Sequence, residues 1–363
     1  DMRVFAIAQA LEKGYSVERI EELTKIDVWF LNKLKNIVDY ANVLKGFKTI
    51  EDIPADVLKE AKRLGFSDFQ IARCVENPSG NMEKETLRVR NARKKANIKP
   101  AVAAAKNADV IIACIGENTY CETPGNDNTI ALSENQRNLV KSLAATGRPI
   151  ILILNGGRPR IINDIEQMAT AVVDILLPGN YGGDALAALL SGEENFSGRL
   201  PFTYPKYVNK FAVYDYKPSE NQGTMAGVYN YNAVMDVQWP FGYGLSYTTF
   251  AYGEATLNGD QITVSVTNTG ARAGQEVVQL YVSDSKASVV RPQKELKGFA
   301  KVALQPGETK QVSFTITPDM LAFFDADAHK WVVEPGKFVM HIASSSADIH
   351  ASLPYVVSEP INL

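Results

Sequence analysis

Residues 110–115 read Val-Ile-Ile-Ala-Cys-Ile, an unbroken apolar run that stops at Gly116, and a carboxylate, Glu117, follows at once. A run this short, closed by glycine, predicts a strand buried on both faces. Parallel strands of that kind need long crossover connections between them. The following sequence supplies both strands and crossovers. Ser133–Leu143 reads as a capped helix, and Pro149–Asn155 as a second apolar strand ending in Gly156-Gly157. Residues Ile161–Met168 read as a helix and Ala171–Pro178 as a third strand, and Gly179–Gly183 lead into a helix over Asp184–Leu190. The alternation predicts an α/β layered sheet over residues 101–250, largely parallel, with helices on both faces. The two glycine-rich joints match no dinucleotide or phosphate-loop spacing and read as tight turns. Glu117, and then Glu122 and Asp127 in a polar loop with Pro124 and Gly125, would stand at the carboxyl end of the first strand. That is where open α/β sheets present chemistry.

Residues 1–100 are of another kind. They hold only 4 of the 25 glycines and none of the histidines, and carry a net charge of +4 against -7 for the remainder. The shift places a change of fold class near Pro100. Met2–Glu12 predicts a helix with Gly14 behind it, Ser16 and Asp27 are N-caps for two more, and Val28, Leu31, Leu34, Ile37 and Val38 repeat at helical spacing. A fourth helix is expected over Ala55–Leu64 after Pro54, a fifth after Ser67, and a charged sixth over Met82–Lys95. Single apolar stripes predict an all-α bundle with a wet outer face. The basic run Arg88, Arg90, Arg93, Lys94, Lys95 reads as the solvated side of a helix.

Residues 251–363 alternate with period two over Gln261–Thr269, Glu276–Val282, Lys310–Ile316 and Lys337–Ala343, and Pro306-Gly307 and Pro335-Gly336 mark turns. This predicts a fibronectin type III-like β-sandwich. The chain of 363 residues thus divides as 1–100, 101–250 and 251–363, a multidomain protein. A net charge of -3 gives no nucleic-acid surface, and no apolar run reaches the ~18 residues of a membrane span. Cys74, Cys114 and Cys121 read as free thiols, and His329, His341 and His350 share no metal spacing, so neither metal nor cofactor is expected. The chain begins at Asp1 without Met, so the true N-terminus is expected to be missing.

Several motifs carry a resemblance. Gly116-Glu-Asn-Thr-Tyr-Cys-Glu-Thr-Pro-Gly-Asn126, Leu132-Ser-Glu-Asn-Gln136 and Leu177-Pro-Gly-Asn-Tyr-Gly-Gly183 are similar to the second domain of glycoside hydrolase family 3 β-glucosidases. Ser197–Pro205 and Trp239–Phe250 extend the match, and the sandwich resembles the third domain of such enzymes. In residues 1–100, Asp1–Leu11, Thr24–Leu31, Leu64–Ala72 and Val89–Lys94 resemble the oligomerization domain of the carbamoyl-phosphate synthase large subunit. That resemblance implies a packing role and a homo-oligomer through residues 1–100. It brings no ATP site.

The first resemblance implies retaining hydrolysis of terminal β-glucosides by two carboxyl groups about 5–5.5 Å apart, one nucleophile and one general acid/base. By motif the acid/base falls on Glu117, with Glu122 as its rival and Asp127 third; Asn118, Tyr120 and Asp127 are the expected sugar-binding residues. The family's nucleophile lies on a preceding (β/α)₈ barrel of ~250 residues, and no Ser-Asp-Trp-like segment occurs in this chain. The expected partner is therefore a β-glucoside bound when a barrel completes the site. The alternative is a non-catalytic scaffold, and the junction at Pro100–Ala104, which lacks linker composition, leads to the expectation of a composite, chimeric chain. The two resemblances leave the compartment open between cytoplasmic and periplasmic or secreted.

Overall fold

The computed structural model describes residues 2–75, 81–117, 126–127, 129–208, 213–217, 220, 236–284 and 286–363, apart from the side chains of 94–97. The chain forms two compact units. The first comprises Asp1–Ala113, Ser133–Leu152 and Met168–Ala171; the second comprises Cys114–Leu132, Ile153–Gln167 and Val172–Leu363.

The first unit is mainly helical. Helices α1 (Arg3–Glu12), α2 (Val17–Thr24) and α3 (Val28–Lys45) gather Ile7, Leu11, Val17, Ile20, Leu31 and Val38 into one small core. Ser16 accepts from the Arg19 amide and Asp27 from the Trp29 amide, so both expected caps form. The stripe along α3 is half as deep as expected: Leu31 and Val38 are buried, whereas Val28 and Ile37 are exposed. Helices α4 (Ala55–Arg63), α5 (Asp68–Cys74) and α6 (Met82–Ala105) pack Leu58, Ala61, Ile71, Ala72 and Val89 into a second core. The expected end of the block is corrected here, because α6 runs straight through Pro100 to Ala105. Proline costs a helix interior about 3 kcal/mol, and the Ala-rich segment that follows it has the propensity to carry the helix onward. Within the basic run the three arginines meet carboxylates: Arg88 pairs with Glu51 and Glu85, and Arg90 and Arg93 with Asp68; the side chains of Lys94 and Lys95 lie outside the described residues. Helix α7 (Glu134–Ala144) follows Ser133 as expected.

Three strands, β1 (Ile111–Gly116), β2 (Ile150–Asn155) and β3 (Ala171–Asp174), form a sheet in the order β1-β2-β3. The amides of Ile111 and Glu117 donate to the carbonyls of Pro149 and Asn155, so the registers of β1 and β2 advance together and the strands are parallel. Strand β3 follows β2 in the same sense, with Thr170 donating to Ile150 and Ile175 to Leu154. Strand β2 is buried at Ile150, Leu152, Ile153 and Leu154, but β1 buries only Ile111, Ala113 and Ile115. Ile112 is 52% exposed and Cys114 is also exposed. The expectation of burial on both faces therefore fails for β1, because an apolar run does not report whether a second layer covers it. The expected helix over Ile161–Met168 reduces to a single 3₁₀ turn at Glu166–Met168, with Ile161 bridged to Ala131.

Helix α8 (Gly182–Ser191) belongs to the second unit, as do β4 (Tyr204–Pro205) and its antiparallel partner β5 (Val237–Trp239). The sandwich begins with β6 (Phe250–Tyr252), β7 (Thr256–Asn258), β8 (Gln261–Asn268) and β9 (Gly274–Asp284), then β10 (Glu295–Leu304) and β11 (Thr309–Thr315). A short α9 (Pro318–Leu321) leads to β12 (Phe323–Asp325), β13 (Lys330–Val333), β14 (Gly336–Ala343), β15 (Ile349–Val357) and β16 (Ile361–Asn362). One sheet is ordered β10-β9-β14-β15 and the other β11-β8-β6, with β7 also on β8; β12, β13 and β16 form a third. Ile262, Val264, Val266, Val278, Leu280, Phe338, Met340 and Ile342 share one core, which accounts for the period-two pattern. A buried ion pair joins Arg199 to Glu276 at 2.8 Å, and the Tyr252 hydroxyl donates to Glu276 at 3.2 Å.

Candidate active site

The carboxyl ends of the parallel strands meet in the second unit, and the sequence places a polar group at each. Strand β1 ends in Gly116, whose φ of +147° favours glycine, and a Cβ there would lie 1.8 Å from the Asn155 carbonyl oxygen. Only glycine lets β1 run this close to β2 and hand its next residue, Glu117, to the sheet end. Strand β2 ends in Asn155, and Gly156-Gly157-Arg158-Pro159-Arg160 follows. Gly156 has its own steric role, since a Cβ on it would sit 3.0 Å from Glu117 Oε2. Strand β3 ends in Asp174, whose carboxylate accepts from the Leu176 amide at 3.0 Å. Burial raises the pKa of Asp174 above the ordinary aspartate value, and the Leu176 hydrogen bond opposes the shift.

Two arginines converge on Glu117. Arg158 Nε stands 3.1 Å from Glu117 Oε1, and Arg160 Nη2 donates to the same oxygen. The Glu117 side chain is 7% exposed and that of Arg160 13%. The other guanidinium nitrogen of Arg160 donates to Asp127 Oδ2 at 2.8 Å, to the Thr129 carbonyl at 2.9 Å and to the Ala131 carbonyl at 3.4 Å. Behind the guanidinium the Arg160 backbone is clamped as well: its N–H donates to Tyr204 Oη at 3.2 Å, and the Tyr204 hydroxyl donates to the Arg160 carbonyl at 2.8 Å. Tyr204 is fully buried in β4, and its ring meets Trp239 edge-on. Arg160 holds Asp127 below the ordinary aspartate range, helped by the Thr129 amide. Burial works against the Arg160 cation, and Asp127 and Glu117 more than offset it.

Of the residues expected from sequence, Glu117 and Asp127 are brought together on one guanidinium. Asn118, Tyr120 and Glu122 lie outside the described residues, as does Cys121. Arg158, Arg160 and Tyr204 were not singled out by sequence reasoning. The available signal was two cations within three residues of a strand-ending glycine pair, opposite a strand-ending acid. A shallow pocket at this place is lined by Gly116, Asn155, Gly156, Arg158, Asp174 and Tyr204. The histidines stand apart: His341 lies between Ser283 and Ser352, and His350 stacks on Tyr252 with centroids 3.8 Å apart. Among the described residues no group of three or more His, Cys, Asp or Glu could hold a metal ion, and no helix is long and apolar enough to cross a membrane.

The architecture has close counterparts. A family model described as the glycosyl hydrolase family 3 C-terminal domain matches residues 7–247, and one for a fibronectin type III-like domain matches residues 276–346. The first match begins inside the helical block. A periplasmic β-glucosidase of Salmonella typhimurium is 38% identical over 287 residues, covering 74% of this chain and 37% of the relative. A β-xylosidase of Formosa agariphila is 39% identical over 258 residues, covering 68% of this chain and 35% of the relative. Among solved structures, a β-glucosidase from Erythrobacter marinus aligns with a TM-score of 0.66 at 35% identity, over 74% of this chain and 36% of that one. A β-glucosidase from Listeria innocua in complex with glucose aligns with a TM-score of 0.64 at 31% identity, over 72% and 38% respectively. The chain thus spans little more than a third of the length of these proteins.

Proposed function

Because this chain belongs to the glycosyl hydrolase family 3 C-terminal domain family, we propose that it is the acid/base-bearing and C-terminal part of a retaining β-glucosidase-type hydrolase. Its substrates are terminal β-glucosides, and its nucleophile comes from a barrel outside residues 1–363. The relatives named above as β-glucosidases support the substrate class. The observation that carries the reading is the delivery of carboxylates to the carboxyl end of β1 in a parallel sheet.

Glu117 and Glu122 are the two candidates for general acid/base. Glu117 Oε1 already accepts from two guanidinium donors, and Oε2 packs over Gly156. Among the described residues these contacts enclose the carboxylate and hold it on cations, away from a leaving-group oxygen. This supports Glu122 as the acid. Glu122 then protonates the glycosidic oxygen as the barrel nucleophile attacks the anomeric carbon. In the second half-reaction it takes the proton from the water that hydrolyses the glycosyl-enzyme.

The test is release of nitrophenol from an aryl β-glucoside by the chain alone, and by the chain mixed with a separately expressed family 3 barrel. The chain alone is expected to be silent and the mixture active. Glu122→Gln is expected to lower turnover of the mixture by about 10²–10⁴-fold. Full turnover in Glu122→Gln would overturn the assignment. Turnover by the chain alone that vanishes in Glu117→Gln would return the acid role to Glu117 and show a nucleophile within these residues.

A second reading concerns residues 1–100. Phe5, Trp29 and Phe30 on α1 and α3 are all more than half exposed, which supports assembly through the helical block. Light scattering that returned a clean monomer would remove it.

A further inference from the structure

Between Asp284 and Lys297 the sandwich spends its carboxylates on other cations. Arg291 stands 3.9 Å from Asp284 and 2.7 Å from Glu295, and Lys297 takes Glu295 at 3.1 Å. Lys294 is half-buried just ahead of the edge strand β10 and, among the described residues, has neither a hydrogen bond nor an ion pair. A cation drawn partly out of water with no counter-charge is unfavourably placed, and burial lowers its pKa accordingly. Beside it a row of polar side chains crosses the sheet. The register that sets Glu295 opposite Val282 brings Lys294 level with Ser283 on β9. The Ser283 hydroxyl donates to the Gln293 carbonyl at 2.6 Å. Its oxygen stands 2.9 Å from Nε2 of His341 on β14, whose Nδ1 is 2.8 Å from the Ser352 hydroxyl on β15. A hydroxyl carries one hydrogen, and that of Ser283 is committed to a carbonyl. Nε2 therefore holds the imidazole hydrogen and donates it, and the neutral ring accepts at Nδ1 from Ser352. Tyr281 and Ser352 lie opposite His341 in the register, and neither carries a charge that answers Lys294. Burial, and after it the Lys294 charge, hold the His341 pKa below its ordinary value.

We propose that Lys294, His341 and Ser283 form a binding site for a small oxyanion, a phosphate or the carboxylate of an acidic sugar, at the β10–β9 edge of the sandwich. The ammonium offers three donors and receives the counter-charge that the chain itself does not supply. An arriving anion also offsets the charge that disfavours the imidazolium. Nδ1 of His341 then takes up a proton, and the Ser352 hydroxyl turns from donor to acceptor. No bond in the row is lost, because Nε2 donates to Ser283 in both forms. The proposal does not rest on the acid/base reading above.

The test uses the full chain carrying isotope-labelled histidine, at about pH 6.5, near the ordinary histidine value. Inorganic phosphate, glucuronate and, as an uncharged control, glucose are titrated in separately at constant chloride. The ring signals of His341 are identified by their loss in His341→Gln. Before ligand they are expected to report the Nε2–H tautomer. With phosphate or glucuronate they should move saturably toward the imidazolium positions, and with glucose they should stay. The anion that saturates at the lower concentration tells an inorganic oxyanion from an acidic sugar as the source. Lys294→Met is expected to weaken binding at least about ten-fold, the loss of one charge-assisted contact, as read by the same signals and by calorimetry. Lys48→Met, at an exposed lysine of the helical block, should leave binding unchanged. Ser283→Ala leaves Nε2 without its acceptor and should weaken binding in the same direction, which keeps the proposal testable where Lys294→Met does not fold. Absence of saturable movement with either anion, movement with glucose as well, an equal loss in Lys48→Met, or parent-like binding in a folded Lys294→Met or in Ser283→Ala would overturn the proposal.

Discussion

Glu117→Gln separates an acid that frames the site from one that reacts in it. The amide keeps the shape and one acceptor oxygen but removes the charge. In the parent, Oε1 receives Arg158 Nε at 3.1 Å and Arg160 Nη2, and the side chain is almost fully buried. A hydrogen bond to a charged group contributes about 1.5–3 kcal/mol and a neutral one about 1 kcal/mol, so each of the two bonds weakens by on the order of 1 kcal/mol. The two cations also lose an anion in a partly desolvated place; breaking a wholly buried pair costs about 3–5 kcal/mol, and Asp127 still balances Arg160. The expected loss is about 2–4 kcal/mol, or roughly 30- to 1,000-fold in the unfolding equilibrium. Trp239 is the reporter, since its ring packs on Tyr204, which clamps Arg160. With Trp29 and Trp331 replaced by Phe, its fluorescence follows urea unfolding of this region. A reacting acid facing substrate behaves otherwise: its replacement leaves stability unchanged or raises it. A Glu117→Gln midpoint within about 0.5 kcal/mol of the parent would refute the reasoning and return Glu117 to the exposed loop.

Two further outcomes are expected from the sandwich. Arg199→Met should destabilise it by about 3–5 kcal/mol by stranding Glu276, whereas Arg199→Met combined with Glu276→Leu should recover most of the loss; thermal denaturation of the four-member cycle measures the difference. The pKa of Tyr252 is raised by burial first and by Glu276 next. A group whose folded pKa is raised stabilises the fold below its unfolded value and loses that contribution as pH rises. The sandwich should therefore lose stability progressively above a pH of about 10, and Tyr252→Phe should flatten that slope in urea titrations. An unchanged slope would place the effect on other buried phenols such as Tyr281, also raised by burial.

The sandwich was the most legible part of the chain. Its strands bury alternate residues against one core, and period two survives in the sequence because each strand carries it alone. Helix caps at Ser16, Asp27 and Ser67 were legible for the same reason, since a cap is settled within three residues. Length and cover were harder. Nothing local distinguishes Ile112, which is exposed, from Ile111, which is buried, in a run where every residue is apolar. Pro100 read as a boundary because glycine, histidine and charge content shift there, yet α6 continues past it. The site divided along the same line. The carboxylates at the end of β1 were visible because strand, glycine and acid are contiguous. Arg160 was not, because its meaning lies in partners 43 and 33 residues away that only the parallel register brings near.

The doubly held guanidinium of Arg160 also makes its two carboxylate partners interdependent. Glu117 and Asp127 balance one cation whose side chain is 13% exposed, so loss of either leaves the other as its remaining counter-charge. Groups in one such network do not contribute additively, and a sequence drifting at one of these two positions is thereby held to the acid at the other.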